Sequence, residues 1–329
     1  MRPRPSRAVA LTIAVAALVP PAVAAQDGGN PETGGAAFLL LPVGARASAL
    51  GQAAMADGGS GEAVFWNPAG LARLTKSEFG THYSRTIAAN NTALTLHFVD
   101  RRLGVLGIAA YLVDYGSQDA QPARPDAPPT GRFSQKNIEL LASYATDVTR
   151  ALGFGISYKL IQFREDCQGD CGPRGSVVGT THGVDAGAQL ALGADALQIG
   201  VAIRHAGFKL QIENSDQADP LPTRLGVGIA YRLPWSVLTA STPVGARILV
   251  DFQDEWGEYR SPDARFGLEV GFDDLVQVRA GYAFLQAENR GASLGVGLRL
   301  ERVIVDFARV FYDSGVFEDP VHLSLRVLL

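Results

Sequence analysis

The sequence has little charge, little cysteine and no long apolar run beyond its first residues. Charged residues make up 19% of the chain, and 29 Lys and Arg against 33 Asp and Glu leave a net charge of −4. Such a composition has no basic footprint for nucleic acid. Two cysteines exclude a disulfide-dense scaffold. No stretch of about 20 apolar residues follows residue 25, so the sequence predicts no membrane-spanning helix.

The first 25 residues have the layout of a secretory signal peptide. Arg2, Arg4 and Arg7 form a basic start, residues 9–19 form an apolar run, and small residues precede Gln26. The run is too short to cross about 30 Å of hydrocarbon as a helix. We therefore expect residues 1–25 to direct Sec export, so that the mature chain lies outside the cytoplasm.

From Ser77 onward, apolar and polar residues alternate with a period of two. Leu225, Val227 and Ile229, for example, share one face, while glycines and arginines occupy the other. A period of two predicts strands, because a helical period would scatter these residues around the axis. Glycine recurs on the polar face, where a lumen of charged side chains needs room. The predicted strands are 77–87, 92–99, 104–114, 134–146, 152–165, 181–192, 196–206, 223–233, 245–254, 264–272, 275–285, 292–300, 302–312 and 321–329.

The connections between these strands alternate between short turns and longer loops. Two connections depart from this rule, since 88–91 is short and 234–244 is long. Alternation of this kind is typical of an outer-membrane barrel, although a secreted β-sandwich also has one apolar and one polar face. The long strands and their even number favour an all-β fold: a 14-stranded antiparallel transmembrane β-barrel over residues 77–329, in the lipid of a Gram-negative-type outer membrane. An aromatic girdle is predicted from Tyr111, Tyr115, Tyr144, Trp235, Trp256, Tyr259 and Tyr312.

Residues 26–76 are too irregular and too rich in small residues for a barrel wall. Residues 45–57 could form a short helix, and Asn67 could cap a helical turn that begins at Pro68. This segment is predicted to be a small N-terminal plug, or hatch, folded into the barrel.

Three motifs in this segment carry a family resemblance. Residues 42–46, Leu50-Gly51 and the plug motif resemble the N-terminus of PorV/PorQ-type outer-membrane proteins, which are relatives of the FadL barrels. The resemblance implies that the protein binds signal domains of secreted cargo and escorts them to sortase and secretion components of a type IX system. The outer loops 115–133 and 166–180 would then form the contact surface. The plug motif consists of Trp66, Asn67, Pro68, Ala69, Gly70 and Leu71.

Two other functions stay open at this point. A FadL-like uptake channel for a hydrophobic small molecule would need an apolar pocket near the outer mouth and a plug that can shift. A purely structural barrel would bind neither cargo nor ligand. No nucleophile motif or glycine-rich phosphate loop occurs, and the five histidines are dispersed. The sequence therefore predicts no enzyme, no cofactor and no metal.

Two further sets of residues are candidate sites. Cys167 and Cys171 lie in a predicted outer loop of an exported protein, which favours a disulfide. A metal site with Asp166 and Asp170 is the alternative, but it lacks a nearby histidine. The charges on the polar face either line a path or form a salt-bridged interior that holds the plug, and we favour the interior. The lumen charges are Arg204, Arg224, Arg232, Glu269, Arg279 and Arg299, with Lys159, Arg265 and Arg326.

Overall fold

In a computed structural model, the chain forms a closed antiparallel barrel of 14 strands. The predicted signal peptide, residues 26–35 and most of the 234–244 connection lie outside the described residues. No helix in the described part of the chain is long and apolar enough to cross a bilayer. The structure describes residues 36–86, 89–120, 128–171, 175–193, 195–212, 218–233, 244–257, 259, 262–273, 275–285, 291–312 and 319–329.

The barrel strands follow one another around the wall, and β1 pairs with both β2 and β16, which closes the sheet. Closure leaves no edge of unpaired backbone groups in the wall, as a lipid environment requires. The strands are β1 (Glu78–Arg85), β2 (Asn90–Asp100), β3 (Gly104–Ala120), β4 (Gly131–Asp147), β5 (Leu152–Gly169), β6 (Val177–Leu192), β7 (Leu197–Gly207), β10 (Arg224–Arg232), β11 (Val244–Glu255), β12 (Asp263–Phe272), β13 (Val276–Phe284), β14 (Gly291–Leu300), β15 (Val303–Tyr312) and β16 (Val321–Leu328).

The predicted 14-stranded barrel is confirmed, and most strand limits agree within two residues. The two faces of each strand differ as the alternation predicted. Leu294, Val296 and Leu298 of β14 point outward and are 42–54% exposed, whereas the residues between them are buried in the lumen. A belt of exposed apolar side chains matches the lipid-facing surface of a membrane barrel. We call the end with the short connections the turn end and the opposite end the loop end.

Four neighbouring strands are longer than predicted, and one hairpin was not predicted. β3, β4, β5 and β6 contain 17, 17, 18 and 16 residues, and all four extend beyond the belt at the loop end. In the β3 extension Ser117, Gln118 and Asp119 place polar residues on both faces, and the β6 extension begins with two adjacent valines, Val177 and Val178, so the alternation that marks a lipid-facing strand is lost. Cys167 consequently lies in β5 rather than in a loop. The hairpin consists of β8 (Leu210–Gln211) and β9 (Ala218–Asp219).

Candidate functional site

Residues 36–76 lie inside the barrel, and we call them the plug. The Ala45 N–H donates to the Ser324 hydroxyl of β16 over 2.8 Å. On β11, the Asp251 carboxylate accepts the N–H groups of Ala54 and Met55 over 2.6 and 2.8 Å. Buried hydrogen bonds therefore hold the plug to different parts of the wall. Its helices are α1 (Ala45–Ala49) and three 3-10 helices, Ala37–Leu40, Gly61–Phe65 and Pro68–Arg73.

The helix expected across 45–57 is much shorter than predicted. It ends at Ala49, and Gly51 and Gln52 follow with φ angles of 62° and 64°. Positive φ values are incompatible with a continuing right-handed helix. The chain therefore turns here and runs as irregular backbone towards Asp57.

The predicted plug motif ties separate parts of the plug together. The Trp66 indole N–H donates to the Val43 carbonyl over 3.0 Å, and the Asn67 amide donates to the Met55 carbonyl over 2.7 Å. The Asn67 side-chain oxygen accepts the Ala69 N–H over 3.1 Å, so Asn67 caps the following 3-10 helix as predicted. The motif is thus the structural centre of the plug. Its buried residues are Trp66, Asn67, Pro68, Ala69, Gly70 and Leu71.

Glycines on the inner wall receive the backbone of the plug. A Cβ atom on Gly155 of β5 would lie 2.2 Å from the carbonyl carbon of Pro68. A Cβ atom on Gly281 of β13 would lie 2.0 Å from the Gly51 nitrogen. Real Cβ atoms do not approach other atoms this closely, so no larger residue fits. At these positions the glycine makes room for the plug and not, as the sequence suggested, for charged side chains.

Ion pairs join the plug to the wall near the turn end. Arg46 of the plug pairs with Asp57 of the plug, Nε to Oδ2, over 2.8 Å, and also with Glu269 of β12. Asp57 in turn pairs with Arg247 of β11 over 3.0 Å. Each charge is therefore compensated across the boundary between plug and wall.

The same set of ion pairs continues along neighbouring strands. Arg279 of β13 bridges Glu269 over 2.7 Å and Asp306 of β15 over 2.6 Å. Arg326 of β16 then contacts Asp306 over 2.9 Å and Glu78 of β1 over 3.6 Å. Because burial makes an unpaired charge costly, removing one member would leave its partners uncompensated.

The predicted lumen charges therefore fall into different environments. Glu269 and Arg279 belong to the buried ion-pair set described above. Arg224 lies at the loop end and contacts Glu255 over 3.7 Å. Arg232 and Arg299 are exposed at the turn end. Only part of the predicted set thus lies in the packed interior that we favoured from the sequence.

A second group of buried charges surrounds Lys159 on β5. The Lys159 ammonium lies 2.7 Å from Glu139 Oε1 on β4 and 2.8 Å from Asp185 Oδ2 on β6. Beside it, β7 contains a β-bulge, at which the register shifts and His205 adopts a φ of 58°. The bulge directs both Arg204 and His205 into the lumen, where Asp185 accepts the His205 N–H over 2.7 Å.

Arg204 connects this group to the plug motif. Its guanidinium donates to the Phe65 carbonyl over 3.1 Å and to the Gln253 side chain over 2.7 Å. It also lies 5.3 Å from the centre of the Trp66 ring. Arg204 therefore makes both hydrogen bonds and a cation–π contact, and none of this could be inferred from its place in the sequence.

An apolar region, which we call the chamber, occupies the lumen beside β3–β5. Most barrel lumens are polar, but here plug residues Phe38 and Leu39 pack among inward-facing apolar side chains. Tyr111 lines the chamber, with its ring 6.4 Å from Phe38 and 6.1 Å from Phe65. The prediction of Tyr111 as a girdle residue is therefore wrong, because its inner-face position buries it. The wall of the chamber includes Ala93, Tyr111, Val113, Leu141, Ile161 and Leu221.

At the turn end, a polar cavity of about 550 Å³ lies against the inner wall of β10–β13. Inward-facing glycines leave space there, since a Cβ atom on Gly245 would have no neighbour within 4 Å. The plug thus fills the middle of the lumen but not this end. The cavity is lined by Arg232, Val244, Gly245, Ala246, Arg247, Glu269, Gly271, Asp273 and Gln277.

Two plug carboxyl groups have opposite electrostatic environments. Burial alone would raise the pKa of Asp57, but the charges of Arg46 and Arg247 together hold it well below its usual range. Burial raises the pKa of Glu62 to about 7, and the more distant charge of Arg326 only partly opposes this effect. Glu62 is therefore the plug acid that titrates near neutral pH.

We expect titration of Glu62 to weaken the plugged state as pH rises. Its pKa in the folded protein is above the ordinary value of 4.5, so the folded state binds the proton more tightly than the unfolded state. The free energy of unfolding should then fall by up to about 3 kcal/mol between pH 4.5 and pH 7. Denaturant unfolding at pH 5 and pH 8 measures this. Glu62→Gln should reduce the dependence by this amount, whereas Glu301→Gln in an exposed turn should leave it at the wild-type size. An unchanged profile for Glu62→Gln would contradict the expectation.

The cysteine pair lies apart from the chamber, whereas His205 lies beside it. Cys167 and Cys171 form a disulfide with an S–S distance of 2.01 Å. In the part of the chain that the structure describes, no three His, Cys, Asp or Glu side chains are placed to hold a metal. His182 points outward beside Tyr158. The histidines buried inside the barrel are His82, His97, His205 and His322.

Comparison with known proteins gives a result for structure but not for sequence. No protein-family model matches the chain. No curated protein matches it at a significant level either. Solved structures do match, over most of the chain, so their likeness concerns the fold.

Three solved structures illustrate this likeness. The Ralstonia pickettii toluene transporter TbuX has 14% identity and a TM-score of 0.58, covering 87% of this chain and 98% of its own. The CymD monoaromatic hydrocarbon channel has 14% identity, a TM-score of 0.60 and coverages of 87% and 97%. A Pseudomonas aeruginosa FadL homologue has 11% identity, a TM-score of 0.55 and coverages of 87% and 98%. These neighbours share the barrel fold with this chain, and none of the three is a PorV/PorQ-type protein.

Proposed function

We propose that the protein is an outer-membrane channel of FadL type that takes up uncharged hydrophobic small molecules and is not an enzyme. The apolar chamber inside the lumen is the observation that carries this proposal, because an apolar ligand gains free energy by leaving water for such a surface. Two of the structural neighbours are described as a toluene transporter and a monoaromatic hydrocarbon channel, which agrees with it.

The charges around the chamber favour a ligand without formal charge. Lys159 is engaged by Glu139 and Asp185, and Arg204 is engaged by Phe65 and Gln253. A carboxylate would have to displace Glu139 or Asp185 to pair with Lys159, which would leave a buried carboxylate without a cation at a cost of several kcal/mol. Pairing with Arg204 would break its hydrogen bonds to Phe65 and Gln253, of which the Phe65 bond holds the plug. An uncharged molecule meets no such penalty.

The plug contains one part that can move at low cost. Residues 44–73 hold the wall through buried hydrogen bonds and ion pairs, as described above. Phe38 and Leu39 lie in the chamber through apolar packing, and for residues 36–42 the hydrogen bonds within the described chain are local, such as Leu39 N–H to Ala36 O over 3.0 Å. We therefore assign ligand entry to displacement of residues 36–42, with the rest of the plug in place.

Uptake into vesicles with lipopolysaccharide in the outer leaflet tests the proposal, because such a leaflet slows apolar molecules that cross plain phospholipid freely. Reconstituted protein should accelerate the entry of toluene and 4-methylphenol over protein-free vesicles, and Val113→Asn in the chamber should reduce these rates by about tenfold, since it removes apolar surface that contacts the ligand. Val244→Asn, at the polar cavity, is the matched control and should retain the wild-type rates. Entry of both probes no faster than in protein-free vesicles would rule out the channel.

The PorV/PorQ resemblance supplies the second candidate function, escort of secreted cargo. One observation favours it: β3–β6 extend beyond the apolar belt, so that the described residues at both ends of the predicted contact loops 115–133 and 166–180 belong to strands outside that belt. The structural neighbours named above do not support a secretion role. Purification of the protein together with secreted cargo would favour escort, and its purification without cargo from a secreting strain would exclude it.

A further inference from the structure

Three buried oxygen atoms of the chamber wall lack hydrogen-bond partners within the described chain. They are the Tyr111 hydroxyl and the side-chain carbonyl oxygens of Asn91 and Asn137. Each of the three residues is at most 3% exposed. Because buried polar atoms are almost always hydrogen-bonded, three such atoms in one region need an explanation.

These atoms belong to one patch of the inner wall. In the β2–β3–β4 register, Asn91 and Asn137 lie on either side of Val113. Tyr111 is two residues from Val113 along β3, so its side chain points to the same face. Phe38 stacks on Tyr111 from the lumen side. The unpartnered oxygens thus belong to the same stretch of inner wall as Tyr111, against which Phe38 packs.

The side-chain amide of Asn91 is held in one orientation. Its Nδ2 donates to the Ser84 hydroxyl over 3.1 Å, which leaves Oδ1 as the free atom. Amide oxygens only accept hydrogen bonds, whereas the Tyr111 hydroxyl can donate or accept. The patch therefore offers two acceptors and one group of either kind.

A ligand that carries a hydroxyl group matches the hydrogen-bonding groups of this patch. Its O–H can donate to an asparagine oxygen, and its oxygen can accept from Tyr111. A plain hydrocarbon would leave all three oxygens unsatisfied. A carboxylate would place its acceptor oxygens against the amide oxygens of Asn91 and Asn137. A site built to bond a hydroxyl discriminates against a ligand that lacks one.

We infer that the chamber selects hydroxylated aromatic molecules, with Tyr111, Asn91 and Asn137 holding the hydroxyl group. The ring of such a molecule takes the place that Phe38 occupies, and its hydroxyl faces the three oxygens. This inference rests on the proposed function, since it names the ligand class of the same chamber.

Binding of two near-isosteric probes tests the inference. 4-Methylphenol and p-xylene differ by a hydroxyl in place of a methyl group, and each can be titrated into the full-length protein in detergent by calorimetry. For each probe, the affinity is compared between wild type and Tyr111→Phe in the same micelles, so that partitioning into detergent cancels. Tyr111→Phe should lower the affinity for 4-methylphenol by about fivefold, as loss of one net hydrogen bond predicts. It should leave the affinity for p-xylene unchanged.

Two further variants sharpen the test. Asn137→Leu should also weaken 4-methylphenol selectively, whereas Tyr83→Phe, which removes an outward-facing hydroxyl, should affect neither probe. If Tyr111→Phe changed the affinity for both probes equally, or for neither, the inference would be overturned. The proposed channel function would not be contradicted by that result. If neither probe bound to wild type, both the inference and the proposed function would be overturned.

Discussion

Replacing Lys159 by methionine is expected to lower the free energy of unfolding by about 3–5 kcal/mol. Methionine preserves most of the side-chain volume but leaves Glu139 and Asp185 facing each other without a cation. The Lys159 side chain is only 1% exposed, so water cannot compensate the two carboxylates. Denaturant unfolding of the reconstituted barrel, followed by tryptophan fluorescence, measures the loss.

A matched control and a rescue separate charge from packing. Lys136→Met removes an ammonium that is 48% exposed and lies 3.5 Å from Asp114, so it should cost less than about 1 kcal/mol. The triple variant Lys159→Met/Glu139→Gln/Asp185→Asn removes the whole buried group and should recover most of the stability. If Lys159→Met and Lys136→Met destabilised the barrel equally, the buried group would not be the cause.

Gly155→Ala is expected to displace the plug motif from the wall. The backbone of Gly155 has an ordinary strand conformation, so alanine itself is tolerated there. Its Cβ atom, however, would lie 2.2 Å from the backbone carbonyl carbon of Pro68, a buried residue of the plug motif. Overpacking of this kind costs about 1–3 kcal/mol. The population with an unseated plug should therefore rise about tenfold or more, measured as opening frequency in planar bilayers.

Gly245→Ala is the matched control for this substitution. Gly245 also lies on the inner wall, but no atom lies within 4 Å of the position of an added Cβ. Its opening frequency should equal that of wild type. If the Gly155→Ala channel opened no more often than the Gly245→Ala channel, close contact between Gly155 and the plug backbone would not be needed to hold the plug in place.

Together these expectations divide the plug into two parts with different tasks. The central part, around Asn67 and Asp57, is held by close packing on inner-wall glycines, by hydrogen bonds and by buried ion pairs. The leading part, around Phe38, lies in the chamber by apolar packing. In the channel that we propose, a ligand enters when the leading part moves, while the central part stays in place.

The strands could be predicted from the sequence because each has an apolar outer face and a mainly polar face towards the lumen. The strand expected at 292–300 is observed as Gly291–Leu300, and the one expected at 264–272 as Asp263–Phe272. Where a strand extends beyond the apolar belt, the alternation of apolar and polar residues ends. For this reason the extensions of β3–β6 and the hairpin β8–β9 were not foreseen.

The candidate site could be predicted from the sequence only in part. Asn67 as a cap followed from local chemistry, because capping involves residues adjacent in sequence. Tyr111 was placed in a girdle because its position near a predicted strand end resembled that of interfacial aromatics. Its place on the inner face, two residues from Val113 in the alternation, was the available evidence that it faces the lumen.

The alternation after residue 77 was enough to predict the number of strands, their order and their apolar outer face, since these depend on a period of two and on short turns. The irregular composition of residues 26–76 was enough to predict a segment distinct from the wall. The pairing of the lumen charges, the glycines that contact the plug backbone and the apolar contacts inside the barrel became evident in three dimensions alone. These features join residues separated by up to 280 positions or so, as Ala45 and Ser324 do, and pairing at such a separation leaves no local pattern.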